Sequence, residues 1–158
     1  MIDTNPTGTA NLIVSTVRTL FRKVHADLRE EVRGLDAEAL NWVPTQGTNS
    51  VAILVVHTLG SEAEVLRTVR ATPGARDRDS EFQTQAETSD ELIEHLDRAD
   101  AYLDEMASGI TSEDLAAVRP RGDNPPQSGG HWLISNYGHA REHLAHIQLT
   151  KQLYQARG

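Results

Sequence analysis

Apolar residues recur at three- and four-residue spacing in four long stretches, and that period constrains the fold more than any other feature of the chain. An α-helix turns once in about 3.6 residues, so residues spaced this way share one face. Ile13, Val17, Leu20, Phe21, Val24 and Leu28 form the first stretch, which predicts a helix ending near Gly34. The second runs from about residue 50 to residue 70, with Asn49 or Ser50 as N-cap, and stops before Thr72-Pro73-Gly74. The third opens on Thr88-Ser89-Asp90-Glu91, a capping-box pattern, and carries Leu92, Leu96, Ala99 and Leu103 towards Gly109. The fourth starts near His131-Trp132 and reaches about Tyr154. No segment alternates apolar and β-branched residues with polar ones over a strand's length, so no sheet is expected.

The connections are uneven. A short helical turn is expected at Asp36–Asn41, a long polar crossover at residues 71–87, and a stiff loop at residues 117–130 containing Pro120, Pro125 and Pro126. A weak internal repeat relates the halves: Gly34-Leu35-Asp36 leading to Leu40 and Pro44 resembles Gly109-Ile110-Thr111 leading to Leu115 and Pro120. Each half reads long helix, short turn, proline loop, then a long helix carrying histidine. The expected fold is all-α, a four-helix bundle of up-down-down-up topology with a long crossover between the second and third long helices. With 158 residues, the chain fits a single domain over residues 1–158.

Composition removes several function classes. The formal net charge is −8, and nucleic-acid binding requires clustered Lys and Arg. Arg67, Arg70, Arg76 and Arg78 do gather, but Glu62, Glu64, Asp77, Asp79 and Glu81 are interleaved with them, which reads as a solvated loop. No apolar run approaches the roughly 18 residues of a membrane span, and Met1 to Ala10 lacks the pattern of a signal peptide, so a cytoplasmic protein is expected. The absence of cysteine excludes disulfides, zinc–thiolate sites and a cysteine nucleophile. Any thiol chemistry must use a thiol from solution.

His139 and His143 lie one helical turn apart on a single face, where two neutral imidazoles can converge on one divalent ion. His57, directly after the apolar run Val51 to Val56, is the candidate third ligand. The plainer alternatives are a solvated surface pair and a core histidine bonded to a carbonyl. The helical phase favours a shared site. Trp132, Asn136, His139, His143 and His146 fall within about a 100° arc, and Ser50, Ile53, His57, Ser61 and Glu64 group in the same way. Ser61, Glu64, Asn136 and Glu142 are candidate orienting groups or proton acceptors behind the ligands. His146 reads as a fourth ligand, a supporting residue or a pocket wall, and His131 as a rim group or incidental. His25 and His95 have no companions on their helices and are expected at the surface, and Arg141 lies off the metal-facing arc.

These residues resemble the DinB-like superfamily of metal-binding four-helix bundles, which includes bacterial low-molecular-weight thiol transferases. The resemblance runs from about residue 10 to residue 155. It rests on Gly34-Leu35, Leu40-Asn41-Trp42-Val43-Pro44, Gly47-Thr48-Asn49-Ser50, His57 with Glu62 and Glu64, and His139-Ala140-Arg141-Glu142-His143 followed by His146-Ile147-Gln148. Many members carry a His-x-Gly-Gln-like run after the last ligand, where this chain reads His143-Leu144-Ala145-His146-Ile147. The resemblance implies a divalent ion, zinc or nickel, on His57, His139 and His143. It also implies a transferase that activates a thiol of the mycothiol or bacillithiol type against an electrophilic small molecule, and it admits a homodimer. The alternatives of other classes are a stress-associated metal- or ligand-binding bundle without turnover, and a purely structural bundle.

Overall fold

The computed structural model describes residues 5–72 and 74–157. The outermost positions of the expected 1–158 domain, and Pro73 of the expected helix stop, lie outside them. Helix α1 spans Pro6–Val32 and is followed by the short α2, Ala37–Asn41. Helix α3 spans Val51–Arg70, with the Ser50 hydroxyl accepting from the Ile53 amide at its start. After α4 (Arg78–Glu81) comes α5 (Ser89–Ser108), capped by Thr88. The short α6 is Ser112–Ala116, strands β1 and β2 are Val118–Arg121 and Asn124–Ser128, and α7 is Gly129–Ala156.

Side-chain pairs give the direction of each long helix. Arg18 and Arg22 meet Asp104, His25 meets Asp100 and Arg29 meets Asp97, so α1 and α5 run antiparallel. Ser61 meets Asn136 while His57 meets His139 and His143, which makes α3 and α7 antiparallel. Phe21 packs on Tyr137 and Glu31 bonds Gln148 and Lys151, so α1 and α7 run parallel. The long helices contact one another in the ring α1, α5, α3, α7. Phe21, Leu28, Leu66, Leu92, Leu96, Leu103, Leu133 and Ile147 are fully buried between them. Each such side chain contributes about 1.5–3 kcal/mol by leaving water.

Two expectations about the connections are corrected. The 117–130 segment is not a loop without sheet: β1 and β2 pair antiparallel, with Val118 opposite Ser128 and Arg121 opposite Asn124. Gly122 and Asp123 form a two-residue turn, and Gly122 has φ +55°, a conformation glycine adopts without strain. The prolines are tolerated because both strands of a two-stranded ladder are edges. In the 71–87 crossover, α4 folds back against α3, started by Asp77 accepting from the Ser80 amide. No helix is long and apolar enough to cross a membrane among the described residues.

Candidate metal centre

Antiparallel packing of α3 on α7 brings His57, His139 and His143 together. One ring nitrogen from each lies within 4.8 Å of the others, with ring centroids 5.5 Å (His57–His139), 5.1 Å (His57–His143) and 4.2 Å (His139–His143) apart. Burial pushes the pKa of all three below the ordinary histidine value. His139 and His146 press that of His143 further down, to about 4, and the cations Arg121 and Arg76 add to the effect at His139 and His57 respectively. The rings are therefore neutral near pH 7, the state in which an imidazole nitrogen can bind a metal. Both ring nitrogens of His143 are buried without a hydrogen-bond partner among the described residues. A buried polar group left unpaired costs about 1–3 kcal/mol, and a divalent ion would give the lone pair of the His143 ring a partner. The donor set fits a divalent metal ion.

A clamp absent from the sequence reading holds His57 from behind. Its Nδ1–H donates to Glu81 Oε2 at 3.0 Å, which leaves the Nε2 lone pair for a ligand role. Glu81 is buried, and Arg76 grips its carboxylate through Nε and NH2, both at 2.7 Å. The 3.2 Å approach of Arg76 NH2 to His57 Nδ1 follows from both groups holding the same oxygen. Gly60 makes room for this, since a Cβ there would collide with the Glu81 carboxylate. The expected solvated arginine loop is thus corrected at Arg76, which is 11% exposed and tied into the site by Glu81 and Glu64.

Beside the triad lies a cavity of about 520 Å³, walled in part by His57, Ser61, Arg121, Trp132, Asn136 and His139. Ser61 Oγ accepts from Asn136 Nδ2 at 2.8 Å and from Arg121 NH2 at 2.9 Å. Glu64 Oε2 is shared by Arg121 at 2.7 Å and Arg76 at 3.1 Å. Asn136 Oδ1 and Arg121 Nε are buried without partners among the described residues. Ser61, Glu64 and Asn136 therefore stand together in one wall, joined by Arg121 from the hairpin, which the sequence reading did not single out.

The remaining candidates divide clearly. Glu142 is exposed and forms no hydrogen bond with the triad among the described residues, and Arg141 is exposed with a 3.7 Å approach to Asp27. His146 is exposed, its ring centroid 5.6 Å from that of His143, and His131 and His95 are exposed. His25 is the correction: it is fully buried, with Nδ1 2.7 Å from Asp100 and Nε2 2.8 Å from Glu62. Burial alone would lower its pKa, but the bonds to the two carboxylates outweigh it and raise the value to about 9. His25 is therefore a charged tie between α1, α3 and α5. A lone histidine on an apolar face gives no hint that acids on two other helices will meet it.

Residues 20–147 match the sequence profile of the DinB superfamily. No curated protein matches the chain.

Proposed function

The chain belongs to the DinB superfamily, and from that premise we propose that it holds one divalent ion, zinc or nickel, on His57, His139 and His143 and uses it to transfer a small thiol to an electrophile. The observation that carries this reading is the convergence of three neutral imidazoles beside a cavity large enough for small molecules. The chain has no cysteine, so the sulfur must come from solution, from a thiol of the mycothiol or bacillithiol type. When bound, the ion would supply positive charge that favours thiolate over thiol, which is the nucleophilic form.

The protein's own groups then have separable tasks. Glu81 fixes the tautomer and ring angle of His57, and Arg76 keeps that carboxylate in place. Ser61, Asn136 and Arg121 form a polar wall against which the reactants are oriented. Glu64 is engaged by two guanidiniums and holds the wall together. In the transfer the thiol proton goes to solvent and a sulfur–carbon bond forms. The bond from that carbon to its leaving group breaks, and the leaving group departs with the electron pair. A cytoplasmic setting suits this chemistry, because small thiols stay reduced there.

Metal content and thiol conjugation test the proposal together. Purified untagged protein is expected to carry about one divalent ion per chain, and His57→Ala to lose most of it. Metal-loaded protein is expected to accelerate conjugation of mycothiol or bacillithiol to a generic electrophile over the metal-free form. Full metal in His57→Ala would leave only a surface pair on α7. Metal without acceleration by any thiol would favour the bundle that binds metal or ligand without turnover.

A further inference from the structure

Charge is distributed unevenly around the candidate centre. The chain has 15 basic and 23 acidic residues. The 520 Å³ cavity shares Glu64, Arg121 and Gly122 with an adjoining cavity of about 420 Å³, so the two are lobes of one cleft. Five of the 15 basic residues line this cleft, against Glu64 and Asp123 among the 23 acidic ones. The sign of the molecule's charge is inverted there.

Three of the five arginines have carboxylate partners: Arg76 with Glu81, Arg119 with Asp114 and Arg121 with Glu64. Arg67 in the outer lobe and Arg78 in the inner one have none among the described residues. The Arg78 guanidinium lies 4.8 Å from the centroid of the Phe82 ring, which itself packs 4.8 Å from the His57 ring. Arg78 is exposed and Arg67 half-buried, so both guanidiniums are open to a ligand from solution and neither is already neutralised by a described residue. A guanidinium fork matches a carboxylate in geometry as well as sign.

We propose that the cleft binds a small molecule bearing carboxylate groups, with Arg78 in the lobe beside the histidines and Arg67 in the outer lobe as its anchors. The inference deepens the thiol-transfer reading by naming the chemical class of one reactant, and part of its test does not depend on that reading. The charge can be carried by the thiol or by its acceptor, and the two sources are separable by experiment.

Binding is read by Trp132 fluorescence and calorimetry on the full chain. The probes are mercaptosuccinate, 2-mercaptoethanol and succinate. Mercaptosuccinate is expected to bind metal-loaded protein at least about tenfold more tightly than 2-mercaptoethanol, as charge-assisted bonds predict. The advantage is expected to disappear in the Arg67→Gln, Arg78→Gln double variant while metal content is unchanged. Succinate is expected to bind metal-free protein measurably and the metal-free double variant at least about tenfold more weakly. This arm holds or fails whether or not the histidines carry an ion. Mercaptosuccinate that binds metal-loaded protein more tightly than both 2-mercaptoethanol and succinate engages the ion and the arginines at once and assigns the carboxylate to the thiol. Mercaptosuccinate that binds no more tightly than succinate assigns it to the acceptor. Equal affinity for the charged and neutral thiols, or a preference that survives in the double variant, would overturn the proposal.

Discussion

Glu81 decides whether the ring of His57 is aimed or merely present, because its buried carboxylate fixes which nitrogen keeps the proton. Groups that orient a metal ligand in this way typically contribute 10–100-fold to metal affinity, so Glu81→Gln is expected to weaken zinc binding by about that factor. Competition with a chelator of known affinity measures it, and an unchanged circular dichroism spectrum excludes unfolding as the cause. Gly60→Ala tests the same contact from the opposite side. Alanine favours the helix by up to about 1 kcal/mol, yet its Cβ collides with the Glu81 carboxylate that Arg76 holds fast. The expected result is weaker metal binding with helix content retained. Unchanged affinity in both variants would show that packing alone aims His57. The ligands themselves are legible in the sequence because helical phase is a local property: His139 and His143 are neighbours on any helix that contains both. Glu81 and Arg76 are not legible. They lie in a polar crossover with no period, and their importance arises only when α4 folds back on α3.

Among the elements, the four long helices and the two short turns of the repeat, α2 and α6, are readable from periodicity and caps. The β-hairpin hides behind its prolines, although the Gly122-Asp123 pair is a turn signal between strands. The contact between α1, α3 and α5 is also hidden, since His25, Glu62 and Asp100 lie far apart in the chain. That contact has a pH signature. His25 is raised from 6.5 to about 9, so its contribution is fully present below pH 6.5 and is lost as the pH rises through about 9. The shift corresponds to about 3 kcal/mol. The urea midpoint of metal-free protein is expected to fall across that window. The triad histidines have lowered pKa values and titrate on the acid side, outside it. His25→Gln is expected to flatten the profile between pH 6.5 and 9 and to lower stability at pH 6.5 by about 3–5 kcal/mol, because two buried carboxylates lose their cation. A wild-type midpoint constant over this range would mean that His25 is not charged in the fold.

For the whole molecule, the question is whether the metal builds the fold or the fold builds the site. The core runs through all four long helices, from Phe21 and Leu28 through Leu66, Leu92 and Leu103 to Leu133 and Ile147. The triad lies beside it, with His57 and His139 in the wall of a cavity. A small zinc domain has no such core and unfolds when its ion is removed. Here the apolar contacts should persist, and the chelated protein is expected to retain its helical circular dichroism and a cooperative melt. What it loses is linkage: a ligand present at a hundred times its Kd stabilises the native state by about 2.7 kcal/mol. In a chain of this size that corresponds to a midpoint about 5–10 °C lower, restored by adding metal back. The increment should also grow with metal concentration, which separates a bound ion from a structural one trapped during folding. A random-coil spectrum after chelation would reverse the order of cause. The histidines would then be fold-determining, and the cavity beside them a consequence of metal binding rather than the place prepared for it.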